Sequence, residues 1–101
     1  MTGLREGWQR LPRVRVRAAT TSASGSARED IYDAIPLEQA LSSPARVLVR
    51  ARSADGLSLV LSAADAQNAF LAPIEDGWLL ILPLDTTRRR WLKHPISFAV
   101  E

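Results

Sequence analysis

The stretch ARVLVRARSADGLSLVLS, residues 45–62, decides the fold because its pattern predicts a β-hairpin. Two apolar runs flank residues 54–56, and the Asp-Gly pair there supplies the positive φ that a tight turn demands. Successive side chains of a strand point to opposite faces, so every second residue of each run is expected on a common face. These residues are Val47, Val49 and Ala51 in the first strand and Leu57, Leu59 and Leu61 in the second.

The residues after the hairpin predict a short helix and then a central strand. Ser62 is followed three residues later by Asp65, a spacing that resembles a capping box and predicts a helix over Ala63–Phe70. A turn at 75–77 precedes Trp78–Leu82, which is apolar on both faces and is therefore expected to lie inside a sheet. Pro83 ends this strand.

The C-terminal part combines a basic loop with a last strand. Residues 85–95 read DTTRRRWLKHP and place three arginines, a tryptophan, a lysine and the only histidine within seven consecutive positions. The segment PISFAVE that follows predicts a strand with Ile96, Phe98 and Val100 on one face.

On the N-terminal side of the hairpin, the segment PRVRVRAAT predicts a strand over Pro12–Thr20, in which arginine alternates with apolar residues. Such a row of arginines is more typical of an edge protected from aggregation than of a binding surface. The segment TTSASGSARED, residues 20–30, is predicted to be a mobile loop. A short extended stretch over Asp30–Ile35 is followed by Pro36, which suits the first position of a one- or two-turn helix.

Strands outnumber helices in this pattern, which predicts an α+β fold with a mainly antiparallel or mixed sheet and two short helices. A chain of 101 residues is the size of one folding unit. We expect a single domain over residues 11–101, preceded by a basic extension over 1–10.

Composition and charge narrow the classes of function. The net charge is +2, but residues 1–17 and 88–93 together carry +8, so the rest of the chain carries −6. The longest apolar run, Trp78–Leu84, is far shorter than the roughly 20 residues of a membrane-spanning helix. The first residues lack an apolar signal core, which favours a cytoplasmic location, or a periplasmic one if a leader precedes them.

Few residues are suited to catalysis. His94 is the only candidate general base, and no nucleophile motif accompanies it. The chain has no cysteine and no glycine-rich phosphate loop, and its carboxylates are spaced like turn and cap residues rather than metal ligands. The sequence predicts no catalytic residues and no metal site, and it favours a chain without independent catalysis.

The basic loop instead indicates an anion site. The planar fork of arginine matches phosphate oxygens, and Trp91 could stack on a flat heterocycle. Nucleic acid is disfavoured as a ligand. Proteins that bind single-stranded nucleic acid without sequence preference need several aromatic residues in a basic groove, and only one tryptophan lies in this loop. A merely solvated loop is the remaining alternative. The candidate binding residues are Arg88, Arg89, Arg90, Trp91, Lys93 and His94.

The order of these features resembles the oxidoreductase molybdopterin-binding domain family, which has the sulfite oxidase-like fold. The segments that carry the resemblance are LPRVRVRA, YDAIPLEQAL, VLVRARSADGLSLVLSAADA and FLAPIEDGWLLILPLDTTRRRWLKHPISFAVE, which span residues 11–101. Within them, the helix entry at Tyr32 and Pro36, the Asp-Gly turn and the closing Arg90-Trp91-x-Lys93 match the family pattern.

The resemblance implies that Arg90 and Lys93 help to hold a pterin and its phosphate, with molybdopterin as the candidate cofactor. Enzymes of the family ligate molybdenum through a cysteine thiolate, which this chain lacks. The resemblance is therefore to the compact, cysteine-free branch of this fold, and we expect this chain to bind a pterin or another phosphate-bearing anion. The alternative is a noncatalytic interaction module that has kept the fold and lost the cofactor site. Such a module would use the arginine strand or the basic loop to bind an acidic protein partner.

Overall fold

A computed structural model describes residues 1–101, in which eight strands form two antiparallel sheets beside two short helices. The five-stranded sheet has the order β1-β2-β5-β6-β7, and the three-stranded sheet has the order β4-β3-β8. The predicted α+β class with mainly antiparallel sheet is confirmed. The elements are β1 Val14–Thr21, β2 Ala27–Pro36, α1 Leu37–Ala40, β3 Leu48–Ser53, β4 Ser58–Ser62, α2 Ala63–Gln67, β5 Phe70–Ile74, β6 Gly77–Ile81, β7 Leu92–Lys93 and β8 Pro95–Val100.

The predicted hairpin is confirmed as the β3–β4 pair, with Val49 opposite Leu61. Gly56 donates its N–H to the Ser53 carbonyl and so closes the turn. Its φ of 85° lies in the left-handed region, which glycine adopts more readily than other residues. Val49, Ala51 and Leu61 are buried. Val47 and Leu57 lie just outside the strands and are exposed, so the common face is buried only within the paired residues.

A second hairpin, β1–β2, lies where a mobile loop was predicted. Only residues 22–26 form its turn, whereas Arg28, Glu29 and Asp30 belong to β2 and pair with β1. The prediction is wrong for these residues because pairing with a neighbouring strand holds a polar segment extended against its own weak strand propensity. β1 is an edge strand with its arginines exposed, as the alternation in the sequence predicts.

The predicted central strand is confirmed as β6, which lies between β5 and β7 and carries three consecutive buried residues at its end. The first residues of the chain also pack on the domain. Thr2 bridges to Ser97 of β8, and Trp8 is only 8% exposed and contacts Trp78 edge-on at 4.7 Å between ring centroids. The basic extension expected over residues 1–10 therefore contributes to the core.

The last strand departs from the predicted alternation. Phe98 is buried, but Ile96 is 46% exposed. The register shifts at this point: Arg52 of β3 pairs with Ser97, while the next residue, Ser53, pairs with Pro95. Ile96 is the extra residue of a β-bulge, which turns its side chain away from the face shared by the rest of the strand.

The helices begin and end close to the predicted residues but are short. Pro36 is the N-cap of α1 rather than its first residue, and α2 ends at Gln67 instead of Phe70. Phe70 is needed in β5, where it pairs with Pro36 of β2. The longest helix has five residues, and no helix is long and apolar enough to cross a membrane.

Candidate anion-binding groove

The basic loop does not gather its charges in one cluster. Its side chains lie in three places: Arg90 contacts α2, Arg88 and Arg89 lie beside the β1–β2 turn, and Lys93 and His94 follow β6 at the sheet edge. The six residues that the sequence singles out therefore divide into two that line a groove and four that do not.

Arg90 is held by two carboxylates. Its Nε and Nη2 donate to the two oxygens of Asp85 at 2.9 and 2.7 Å, and its Nη1 donates to Asp65 Oδ2 at 2.7 Å. A guanidinium fork on a carboxylate is a strong, directional form of ion pair. Because every guanidinium nitrogen is engaged, Arg90 fixes the loop to the first turn of α2. Three of its five N–H donors are engaged, so phosphate binding by Arg90, which the resemblance implies, would have to use the two that remain.

The same contacts shift two pKa values. The hydrogen bond from Arg90 is the main cause that lowers the pKa of Asp65 below its ordinary 3.8, although partial burial opposes it. Hydrogen bonding to Asp85, and then to Asp65, raises the pKa of Arg90 above its ordinary value. The backbone N–H of Asp65 also donates to Ser62 Oγ at 3.0 Å, which confirms the cap predicted from the Ser62–Asp65 spacing.

Arg88 joins the loop to the first hairpin. Its Nη2 donates to Asp30 Oδ2, and its Nε donates to Thr20 Oγ1 at 3.2 Å. Its guanidinium carbon lies 4.4 Å from the centroid of the Trp91 ring, which is a cation–π distance. Asp30 also binds Arg28 at 2.8 Å, so a single carboxylate holds two guanidinium groups beside the turn.

Trp91 is packed between these elements. Its Nε1–H donates to the Leu82 carbonyl at 3.3 Å, and its ring meets Tyr32 edge-on at 5.9 Å between centroids. Arg88 covers one face of the indole, so that face is not open to a flat ligand. Trp91 does not line the groove and serves as an anchor for the loop.

Lys93 and His94 lie outside the groove. Lys93 is exposed on β7. His94 has a φ of 52°; its N–H donates to the Trp78 carbonyl at 2.9 Å, and its own carbonyl accepts from Ala54 N–H at 3.0 Å. Its Nε2 lies 3.4 Å from Asp76 Oδ2. These contacts are those of a turn residue, and no serine or threonine hydroxyl forms a hydrogen bond with the imidazole.

The groove itself lies between the β1–β2 turn and residues 87–89. It has two adjoining parts, of about 440 and 270 Å³, which share Thr21, Ser22 and Arg88. Apart from Ala23, every lining residue carries a hydroxyl or a guanidinium group. The lining residues are Thr20, Thr21, Ser22, Ala23, Ser26, Arg28, Thr87, Arg88 and Arg89.

The charge balance of the groove is positive. Arg28, Arg88 and Arg89 line it, and Asp30 is the carboxylate that pairs with the first two. Arg89 is exposed and forms no ion pair. Because arginine has five N–H donors, Arg28 and Arg88 keep free donors after binding Asp30. The groove can therefore offer several charge-assisted hydrogen bonds to one anion.

Six of the nine lining residues fall within residues 20–30, which the sequence pattern predicts to be a loop. A signal was present: SASGS at 22–26 matches SADGL at 53–57, the turn of the predicted hairpin. In both, the N–H of the glycine donates to the carbonyl of the serine three residues before it. In both, the serine Oγ also accepts from the N–H after the glycine at 3.1 Å. The repeated pattern predicts two hairpins rather than one.

No group of three or more His, Asp or Glu side chains is placed to hold a metal ion. A scan against protein-family models and searches of curated proteins and solved structures gave no match. What the groove binds has to be inferred from its own residues.

Proposed function

We propose that this chain is a binding domain for a phosphate-bearing small molecule, which it holds in the groove beside the β1–β2 turn without catalysing a reaction on its own. The observation that carries the proposal is the lining, whose residues carry three guanidinium groups and five hydroxyl groups. Phosphate oxygens accept from both kinds of donor, and arginine can bind two of them at once.

The groove is partly preorganised for such a ligand. Asp30 orients Arg28 and Arg88, and Thr20 orients the second of these through its hydroxyl. Side chains already held in place lose less conformational entropy when a ligand binds. Arg89 supplies the charge that no carboxylate of the chain neutralises.

A phosphorylated pterin is the narrower candidate, and it comes from the resemblance to the molybdopterin-binding family. The groove residues fit its phosphate end, because eight of the nine carry a hydroxyl or guanidinium donor. They do not fit the metal of molybdopterin: the lining offers no thiolate, imidazole or carboxylate ligand. The pterin ring would also need a stacking surface other than the face of Trp91 that Arg88 covers.

The absence of independent catalysis is proposed from the same lining. His94 is the only histidine, and it is absent from the lining and lies beside Asp76. The groove hydroxyls lack an adjacent general base, which a serine or threonine nucleophile requires. The noncatalytic assignment would fail if the purified chain hydrolysed a phosphate ester at a rate that Arg89→Gln abolished.

The proposal can be tested by calorimetric titration with pyrophosphate and with a pterin monophosphate at low ionic strength. We expect both to bind, and Arg28→Gln and Arg89→Gln each to weaken binding about 5- to 10-fold, which corresponds to about 1 to 1.4 kcal/mol for a charged hydrogen-bonding group. Arg52→Gln is the matched control, since it removes an exposed arginine of β3 in the other sheet. It should leave the affinity within twofold.

The two ligands separate the general proposal from the narrow one. Equal affinity for pyrophosphate and the pterin monophosphate would support a phosphate site without a pterin subsite. Tighter binding of the pterin, reduced by Arg89→Gln, would support the resemblance. No binding of either ligand at 20 mM salt, where screening is weak, would refute the proposed function.

A further inference from the structure

The outer edge of β1 before Thr21 is a second feature that the anion groove does not use. Ser22 N–H donates across the hairpin to Ser26 at 2.9 Å, whereas Thr21 N–H donates in the opposite direction, to Thr86, at 2.7 Å. The backbone groups of a strand residue point to one side and those of the next residue to the other. The N–H and C=O groups of Arg15, Arg17 and Ala19 therefore point away from β2, at the outer edge of the sheet.

A groove runs along this edge. It has a volume of about 320 Å³ and is lined by the four consecutive residues Val14–Arg17. Neighbouring strand residues face opposite sides, so a groove that touches all four follows the edge of β1 rather than one face. The opposite wall is mostly apolar and includes an exposed Leu84, at 74% of its surface. The remaining lining residues are Asn68, Phe70 and Pro83.

The positive charge of the β1 edge favours an acidic partner. Arg15 and Arg17 line the groove, and no acidic residue does. Arg17 makes an ion pair with Glu29 at 3.3 Å, but both side chains are more than half exposed and such pairs contribute little. A second copy of this chain is disfavoured, because two β1 edges side by side would bring rows of arginine together.

We propose that the β1 edge binds an extended acidic segment of a partner protein as an added strand. Backbone hydrogen bonds to Arg15, Arg17 and Ala19 provide the pairing, as in other cases of strand addition. The partner alternates carboxylate side chains, which face the arginines, with apolar side chains, which face Leu84 and Phe70. This site is separate from the anion groove and does not depend on the function proposed for it.

The first test uses the wild-type protein and a labelled seven-residue peptide that alternates glutamate and valine, with fluorescence anisotropy as the readout. Two further peptides carry N-methyl groups on all the glutamates or on all the valines. Only one set of N–H groups can face β1, so one methylated peptide should bind at least 10-fold more weakly and the other within threefold of the parent. No binding of the parent, or equal binding or equal loss in both methylated peptides, would overturn the proposal.

The second test uses charge reversal with a matched control. Arg15→Glu with Arg17→Glu should weaken binding of the parent peptide at least 10-fold. Arg50→Glu with Arg52→Glu makes the same change on the exposed side of β3, which is paired on both edges, and should change the affinity less than threefold. Equal losses in both double variants would indicate nonspecific attraction and overturn the proposal. The proposal would also be overturned if the wild-type protein formed dimers and the Arg15→Glu, Arg17→Glu variant were monomeric.

The groove variants distinguish failure of the two proposals. Arg28→Gln and Arg89→Gln should leave peptide binding unchanged, because neither residue lines the β1 edge. Loss of peptide binding in these variants would place the acidic segment in the anion groove instead.

Discussion

Replacement of Arg90 by glutamine tests whether this residue is a structural clamp. Arg90 is the one basic-loop residue that bridges to α2, and it donates three hydrogen bonds to Asp85 and Asp65. Glutamine keeps a side chain of similar reach but removes the charge and the fork. The loop would then lose its attachment to the first turn of α2, whereas the groove residues Arg88 and Arg89 would remain.

The expected loss of stability follows from the exposure of the three groups. The side chains of Arg90, Asp65 and Asp85 are 36%, 39% and 22% exposed, so solvent screens the network in part. Exposed ion pairs contribute about 0.2 to 1 kcal/mol each, and a bidentate pair lies at the upper end. We expect Arg90→Gln to lower the free energy of unfolding by about 1.5 kcal/mol, or Tm by roughly 6 to 12 °C.

The assay is chemical denaturation at a series of pH values, with Arg50→Gln as the control. Arg50 makes one bond to Glu101 between side chains that are both more than half exposed, and its loss should cost less than about 0.5 kcal/mol. Because the pKa of Asp65 is lowered in the folded state, its share of the stability is complete above its ordinary pKa and disappears as pH falls through the folded value. The difference between wild type and Arg90→Gln should therefore be constant above about pH 5 and shrink below about pH 4.

Two results would refute this reasoning. One is a loss of stability no larger than that of Arg50→Gln. The other is a difference from wild type that stays the same down to pH 2, since a purely steric role for Arg90 would not depend on the charge of Asp65.

Two further predictions concern glycines. Gly3→Ala should cost about 2 kcal/mol or more, because the new Cβ would lie 1.8 Å from the Phe98 carbonyl oxygen and detach the first residues from β8. Gly7→Ala has open space and should cost only the left-handed strain of about 1 kcal/mol, and thermal unfolding compares the two. Gly77→Ala places a Cβ 2.9 Å from His94 Nδ1, so a double-mutant cycle with His94→Gly should show partial recovery of stability; additive costs would exclude this contact.

The features that could be predicted from the sequence depend on local alternation and turn chemistry. The Asp-Gly turn, the apolar strand β6 and the arginine edge β1 all follow from patterns within about ten residues. The exposure of the Ile96 side chain could not be predicted, because the β-bulge depends on the register of β8 against β3. Likewise, the composition of Arg28 and Glu29 does not favour a strand, and their pairing with β1 holds them extended.

The site was less predictable than the fold because its contacts join distant parts of the chain. Arg88 binds residues 68 and 58 positions earlier, and Arg90 binds Asp65, 25 positions earlier. A run of three arginines indicates charge but not which guanidinium finds a carboxylate. Anion binding by Arg89 and its neighbours stays a prediction. The other residues that line the groove come from the β1–β2 hairpin, which is distant in sequence.

The Asp30 carboxylate would compete with a ligand for the arginine donors of the proposed anion groove. This carboxylate already occupies donors of Arg28 and Arg88, as an incoming phosphate would, and so acts as a tethered surrogate for the ligand. This keeps two mutually repelling cations together without a ligand, and it would weaken the anion binding that we propose. Affinity for the proposed anion and stability of the β1–β2 hairpin are thereby opposed. Replacing Asp30 with asparagine would strengthen anion binding and destabilise the hairpin that forms the groove.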